Sequence, residues 1–422
     1  MDPHPADGKD RPVAQQTTGS AERVWLVIAL VMASACVAQA FGRFTWGVVL
    51  PGARDDLLDG SNAIAGLFGT LNVAAYLLGT FAVSWLASRV TLVGLMRIGL
   101  VCSTSALGVA AIAPNGPVLA VALTAMGLGG ALIWIPSPAI AARILPPNRA
   151  GMAMGSIGSG IGIGVLFAGQ MARFLGGRDD GREVWQTLYR IEFVIAIGVL
   201  IGAFVFLRST GDRPSATGGF GGIGALKTVP GWIPATVAYA AFGFAYILVI
   251  GFLVARLEDD SGFTSDQAAA MFSLLGAATV LGGLTLGPLS DRIGRRVTLT
   301  SAFALFGGCA LLALTGRQPW VAIAAFGAGL MFSGMPALII AHIVDHTTAD
   351  TYGPAFSAAT LAFGVTQMVS PQIGGLIADS FDSFTWVFVL SAGVSFIGAA
   401  CASQLADRSS VTADWDAPAP SN

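Results

Sequence analysis

An all-α polytopic membrane protein, with twelve transmembrane helices in two pseudo-symmetric six-helix bundles, is the fold class this sequence predicts. Four observations carry the prediction. Of 422 residues, 54% are hydrophobic and 11% are charged, against roughly 25% charged in an average soluble domain. Mean hydropathy is +0.73, so most of the chain must meet lipid. Runs free of Asp, Glu, Lys and Arg reach the roughly 20 residues a helix needs to cross a bilayer. One long polar loop, 208–230, divides them six and six.

The first apolar stretch extends to a helix over 24–52. Residues 1–22 ahead of it read as a disordered cytoplasmic tail, not a cleaved signal, because the apolar stretch is too long for a signal h-region. Helices follow at 62–86 and 91–113. The run 98–142 exceeds one span, and Pro114-Asn115-Gly116-Pro117 breaks it, which leaves a fourth helix at 117–141. The fifth falls at 149–173, and the sixth, 184–207, carries Arg190 and Glu192. The second half repeats the count at 231–255, 266–287, 297–316, 320–343, 354–378 and 385–406. None shows the period of two that a transmembrane β-strand needs. The expected organisation is an N-terminal bundle over 23–207, a cytoplasmic linker over 208–230, a C-terminal bundle over 231–407 and a short cytoplasmic tail over 408–422.

With the N-terminus inside, thirteen loop Lys and Arg residues lie inside and six outside. The positive-inside rule then puts both termini in the cytoplasm of a cell (inner) membrane. The net charge of −2 supplies no basic face for nucleic acid. No phosphate-cradling P-loop and no soluble-enzyme constellation appears. Three histidines and few intramembrane acids give no metal centre. No enzyme activity and no cofactor are therefore expected. Cys36, Cys102, Cys309 and Cys401 sit in apolar runs and read as small packing residues.

The halves echo each other. Arg89-Val90-Thr91-Leu92 matches Arg296-Val297-Thr298-Leu299, Phe41-Gly42 matches Phe242-Gly243, and Trp134-Ile135-Pro136 stands 200 residues before Gly334-Met335-Pro336. Duplicated halves around a midplane site are a common plan of secondary transporters. Between the eighth and ninth helices runs Gly287-Pro288-Leu289-Ser290-Asp291-Arg292-Ile293-Gly294-Arg295-Arg296. This decapeptide resembles the G-x-x-x-D-x-x-G-R-R/K signature of the major facilitator superfamily, and the resemblance covers about residues 23–407. It implies that superfamily's fold and secondary active transport by alternating access. The matching stretch of the first half, Thr80 to Arg89, keeps only Arg89 and has Ser84 and Ala87 at the Asp and Gly positions. The first helix, Phe41-Gly42-Arg43-Phe44-Thr45-Trp46-Gly47-Val48-Val49-Leu50-Pro51, looks like a G-R-F…L-P stretch of the bacterial YbfB/YjiJ-like branch.

Physical roles can be assigned within the motif. Gly287 is expected to let two helices approach closely and Gly294 to permit a tight turn. Asp291 is expected to face the start of the fifth helix near Arg149 to Gly151, where a helix dipole stabilises a carboxylate. Arg292, Arg295 and Arg296 are expected to pair with carboxylates or lipid phosphates. With Arg89 these residues would form an inner gate, or act only as topology-fixing charge.

Arg43 is the principal site candidate, because intramembrane charge is costly and functional by default. It lies about 7 Å from the centre of its helix, with Gln39 one turn below and Trp46 three residues on. A guanidinium beside an amide and an indole suits a carboxylate with a small apolar body. Two other readings stand open: a permanent pair with Glu192, at matching depth, and snorkelling into lipid. Glu192 itself reads either as a proton-coupling group or as a solvated helix end. Arg97 and Arg190 are expected to snorkel. Asn72, Tyr76 and Tyr239 are further midplane polar residues. The resemblance places helices 1, 4, 7 and 10 around the cavity, which favours Gln39, Arg43, Trp134 and Tyr246; Trp134 stands where Pro136 and Pro138 break the fourth helix. Gln367 completes the candidate set. His342, beside Asp345, reads as a second titrating group or a plain interfacial histidine. The predicted cargo is a small organic anion carried in symport with protons by a monomer; the partners are that small molecule and the bilayer. Export of amphipathic drug-like compounds, or a non-transporting sensor of the same fold, are the alternatives. The superfamily's drug antiporters tend to carry an Arg in the fourth helix and Gly-Pro-x-x-Gly-Gly in the fifth. Here Leu123 occupies the first position, and a related Ser370-Pro371-Gln372-Ile373-Gly374-Gly375 lies in the eleventh instead.

Overall fold

A computed structural model describes residues 14–86, 89–142, 150–176, 184–208 and 222–405. Twelve helices are long and apolar enough to cross a bilayer. They are α1 (Val24–Leu57), α2 (Asn62–Leu86), α3 (Leu92–Ala110), α4 (Gly116–Ala141), α5 (Ile157–Gly176), α6 (Val184–Phe206), α7 (Trp232–Asp260), α8 (Ser265–Ile293), α9 (Arg295–Ala313), α10 (Trp320–Asp345), α11 (Thr351–Phe381) and α12 (Thr385–Ala402). No strand occurs among the described residues. Large apolar side chains face outward all round the bundle; Leu78, Ile112, Val121 and Val194 are each about two-thirds exposed. In water that surface would aggregate, and in acyl chains it is the solvated face.

Local chemistry sets the helix ends. Thr91 caps α3, its Oγ1 accepting from the Gly94 amide, and Asn115 caps α4 through the Val118 amide with Pro117 in the first turn. The break expected in α4 is present: one helix ends at Trp134 and a short one runs Ser137–Ala142. Its repeat partner differs, since α10 continues through Pro336. Arg97 and Arg190 have partners that the sequence does not show. Arg97 donates to the carbonyls of Ala203, Phe204 and Leu207 at the end of α6, and Arg190 donates to that of Ala111 after α3. Each satisfies carbonyls at a helix terminus. The four cysteines are free and half-buried, not fully buried.

The halves meet along α1 with α7, α2 with α11, and α5 with α8. Glycines allow the closest crossings. A Cβ on Gly66 would run into the Pro371 carbonyl, and one on Gly375 into the Asn62 carbonyl, so α2 and α11 touch backbone to backbone in both directions. Gly47 stands in the same way against Ile250, and Gly276 of α8 against Val165 and Leu166 of α5.

Candidate functional site

The site is built on an irregularity in α1. The helix is regular to Ala35, widens into a π-helical stretch over Cys36–Phe44, and returns to α geometry at Thr45. Such stretches cluster at functional positions because they re-aim side chains and free a carbonyl. Asn72 of α2 braces this stretch. Its Nδ2 donates to Gly42 O at 2.8 Å and to Leu123 O at 2.7 Å, and its Oδ1 accepts from Arg43 Nε at 3.4 Å. The guanidinium lies over the Tyr76 ring, 4.5 Å from its centroid. Its Nη2 is buried without a hydrogen-bond partner, and no carboxylate pairs with Arg43 among the described residues. Buried Gln39 neighbours the Tyr76 hydroxyl.

The second half completes the surroundings. The Tyr246 hydroxyl approaches the guanidinium and accepts from Gln367 Nε2. Phe44 meets Tyr246 and Phe332 edge-on, with centroids 6.4 Å and 5.5 Å away. Phe242 stacks on Tyr246 at 4.9 Å, and Tyr239 on Phe363 at 4.6 Å. One cation therefore stands against an aromatic wall drawn from α7, α10 and α11. On the side toward Arg54 a small pocket continues between the halves, lined by Arg43, Trp46, Asn72, Ile250 and Pro371 among others; the Trp46 indole donates to Ala65 O at 3.3 Å.

Arg43, Gln39, Tyr246 and Gln367 are thus brought together as the sequence suggested, with Trp46 on the adjoining pocket. Trp134 is not among the pocket's lining residues: it ends the first segment of α4 and lies half-buried against the apolar core. The permanent Arg43–Glu192 pair is overturned. Glu192 is fully buried on the other side of α1 and accepts from Thr45 Oγ1 at 2.6 Å. Arg43 and Thr45 are two residues apart, hence on opposite helix faces. Full burial also overturns the solvated helix end for Glu192, and the contacts to α2 and α7 overturn snorkelling for Arg43. Asn72 and Tyr76 had a signal as midplane polar residues but no assigned role. Phe44, Phe332 and Phe363 had none, because an aromatic in an apolar helix looks like core.

The two ends differ. At the Asp291 end, Arg295 donates to Asp345 at 3.0 Å and to Ser290 at 2.6 Å and pairs with Asp291 at 3.1 Å, tying α8, α9 and α10 of one half. The Asp291 side chain is 65% exposed. Arg149 lies outside the described residues. Arg292 and Arg296 are exposed, and Arg89 lies over the Trp85 ring. Gly294 turns between α8 and α9 at φ +92°, a region L side chains rarely enter. Gly287 corrects an expectation: a Cβ there would meet open space, so it holds no close helix contact in this conformation. His342, in the last turn of α10, is 1% exposed, and its ring lies 4.5 Å from that of His346.

At the other end the halves are latched. Arg54, 7% exposed, grips both carboxylate oxygens of Asp259 across the halves, Nη2 to Oδ1 at 3.2 Å, and also donates to Asp55 and Asn62 at 2.8 Å each. Asp379 of α11 caps α2, accepting from the amides of Asn62 and Ala63 at 2.8 Å and from Ser61 Oγ at 3.0 Å. Arg54→Ala is expected to weaken closure at this end by about 1–3 kcal/mol, since it removes the charge-assisted hydrogen bonds that cross the halves. Asp55→Ala, at a carboxylate 63% exposed, is expected to cost well under about 1 kcal/mol. Maleimide labelling of Leu50→Cys, in a background without native cysteines, reads both.

The twelve spans, the decapeptide between α8 and α9 and a cavity between mirrored halves define a membrane transporter of the major facilitator superfamily. Within it the chain belongs to the family described as "Uncharacterised MFS-type transporter YbfB", whose model matches residues 35–403. Among relatives, the uncharacterized MFS-type transporter YfhI of Bacillus subtilis is 22% identical over 305 residues, 72% of this chain and 74% of that one. The inner membrane transport protein YnfM of Escherichia coli is 28% identical over 173 residues, 39% of this chain and 40% of that one. Human monocarboxylate transporter 6 is 27% identical over 130 residues, 30% of this chain and 26% of that one, so these two matches span under half of either relative. A bacterial homolog of the human lysosomal transporter Spinster, solved inward-facing and unoccupied, superposes with TM-score 0.66 at 15% identity, covering 92% of this chain and 94% of that one.

Proposed function

We propose that this transporter moves a small organic anion with an apolar body, driven by a proton gradient. Arg43 holds the anionic group and the aromatic wall holds the body. The observation that carries the reading is the guanidinium itself: half-buried, without a carboxylate partner among the described residues, with its Nη2 buried and unpaired and Tyr246 beside it. A guanidinium nitrogen buried without an acceptor is costly, and an anion entering the cavity relieves that cost with charge-assisted hydrogen bonds. The name of monocarboxylate transporter 6, borne by a protein similar over part of its length, accords with such cargo.

The cycle follows from the two ends. With the positive-inside orientation, both termini and the Asp291 end are cytoplasmic in the cell membrane, and the latch of Arg54 and Asp379 closes the outer face. The cytoplasmic cluster around Asp291 and Arg295 acts as the inner gate, and Arg295 pairs there with Asp291 and Asp345 of its own half. Gln39, Trp46, Tyr246 and Gln367 shape the cavity around Arg43. The chain works as a monomer, its two bundles (23–207 and 231–407) rocking about the site.

Uptake of a radiolabelled panel of aliphatic and aromatic carboxylates into proteoliposomes, with and without an imposed pH gradient, is the test. At least one carboxylate is expected to accumulate only with the gradient. Accumulation of amphipathic cations instead would establish the drug-export reading, and no gradient-dependent movement of any anion would end the proposal.

A further inference from the structure

Glu192 is the fully buried acid of α6, and neither the anion site nor the gates use it. Its Oε1 accepts from Thr45 Oγ1 at 2.6 Å; among the described residues its Oε2 has no partner, and neither does the buried hydroxyl of Tyr189 one turn away. The titratable groups that face it are Cys36 on α1 and Tyr189 on its own helix. Among the described residues, no cation does. Arg190 is engaged with Ala111 O, Arg97 of α3 with the far end of α6, and Arg173 of α5 stands in that helix's last turn. Asp56 of α1 is held by the Trp185 indole at 3.2 Å, at the outer end of α6.

A carboxylate wants donors at both oxygens, and this packing supplies one. The neutral acid fits here, whereas the ionised form calls for a different packing that admits water or another donor. The residue that answers it, Thr45, is the first α-helical residue after the π-helical stretch, and Arg43 two residues earlier faces the cavity. A rearrangement of α1 that frees Thr45 must therefore turn Arg43. The helix also has the register to spare, since the π stretch can regularise without breaking its neighbours.

We propose that Glu192 is the proton-binding group of this transporter and that α1, through Thr45, transmits its protonation state to Arg43. A proton taken from water at one face converts carboxylate to acid and leaves as hydronium at the other; no electrons move. Full burial of Glu192 in the present conformation keeps the proton from leaking. The proposal rests on the proton-coupled reading above, but its test needs no cargo.

Infrared difference titration of the full chain in lipid is expected to show a protonated-carboxyl band that Glu192→Gln removes and Glu192→Asp shifts. Hydrogen exchange of segments 57–64 and 258–264, corrected for intrinsic pH dependence, is expected to change roughly fivefold or more with pH in the wild type. It should not change in Glu192→Gln. Thr45→Val should keep the band and lose the exchange response. A wild type without the band, a band untouched in both Glu192 variants, or a pH response that survives Glu192→Gln or Thr45→Val would overturn the proposal. An inert carboxylate panel with these signatures intact would instead count against the anion alone.

Discussion

Arg43→Ala is expected to weaken binding of an identified carboxylate roughly 10- to 100-fold, the worth of one or two charge-assisted hydrogen bonds at about 1.5–3 kcal/mol. Arg43→Lys should recover only part, because an ammonium keeps the charge and loses the planar fork that meets a carboxylate at two points. The same change should leave thermal stability within about 1 kcal/mol of wild type. Removing the guanidinium forfeits its contact with the Tyr76 ring and a long bond to Asn72, but it also removes a buried, unpaired nitrogen. Loss of binding without loss of stability separates a ligand from a structural cation. Isothermal titration and a melting curve on the same preparation measure the two quantities. A variant that binds as tightly as wild type, or one that unfolds outright, would remove Arg43 from the site.

Gly375→Val is expected to have the largest conformational effect. Its Cβ would collide with the Asn62 carbonyl, and Gly66 makes the reciprocal contact with Pro371, so the crossing of α2 and α11 has no slack. Backbone cannot step aside as a flexible side chain can. Overpacking of this kind costs about 1–3 kcal/mol, all of it charged to the conformation closed at the Arg54 end. The population should move toward the opposite state by roughly 10- to 100-fold, and turnover should stall there. Faster maleimide labelling of Leu50→Cys would report the shift. Gly308→Val is the control, since a Cβ at Gly308 meets nothing within 4 Å. Equal labelling in both variants would show that this crossing does not set the outer closure.

Much of the fold was legible because lipid enforces a strict rule. Backbone groups in hydrocarbon must be satisfied within the helix, so length and hydropathy announce each span. The Pro114 to Pro117 break and the stop after Trp134 were readable for the same reason. Part of the site was legible too. A charge in the membrane is rare enough to be conspicuous, and that singled out Arg43 and Glu192. Their relation was not legible. Matching depth along two helices suggested a pair, but depth says nothing of azimuth, and the π-helical stretch changes the azimuth of every residue beyond Cys36. The partners of Arg97 and Arg190 were not legible either, because each serves a helix terminus that is near in space and not in sequence.

The sequence by itself determined twelve spans, their division into halves, the motif between α8 and α9 and the presence of a costly cation in α1. Only the tertiary structure decided which face of α1 that cation occupies, that Asn72 holds the loosened turn, and that aromatics from three distant helices form the opposing wall. Hydrophobic content is a local property that each span declares alone. Rotation of one helix about its axis is fixed only by the neighbours it packs against, and those arrive from elsewhere in the chain.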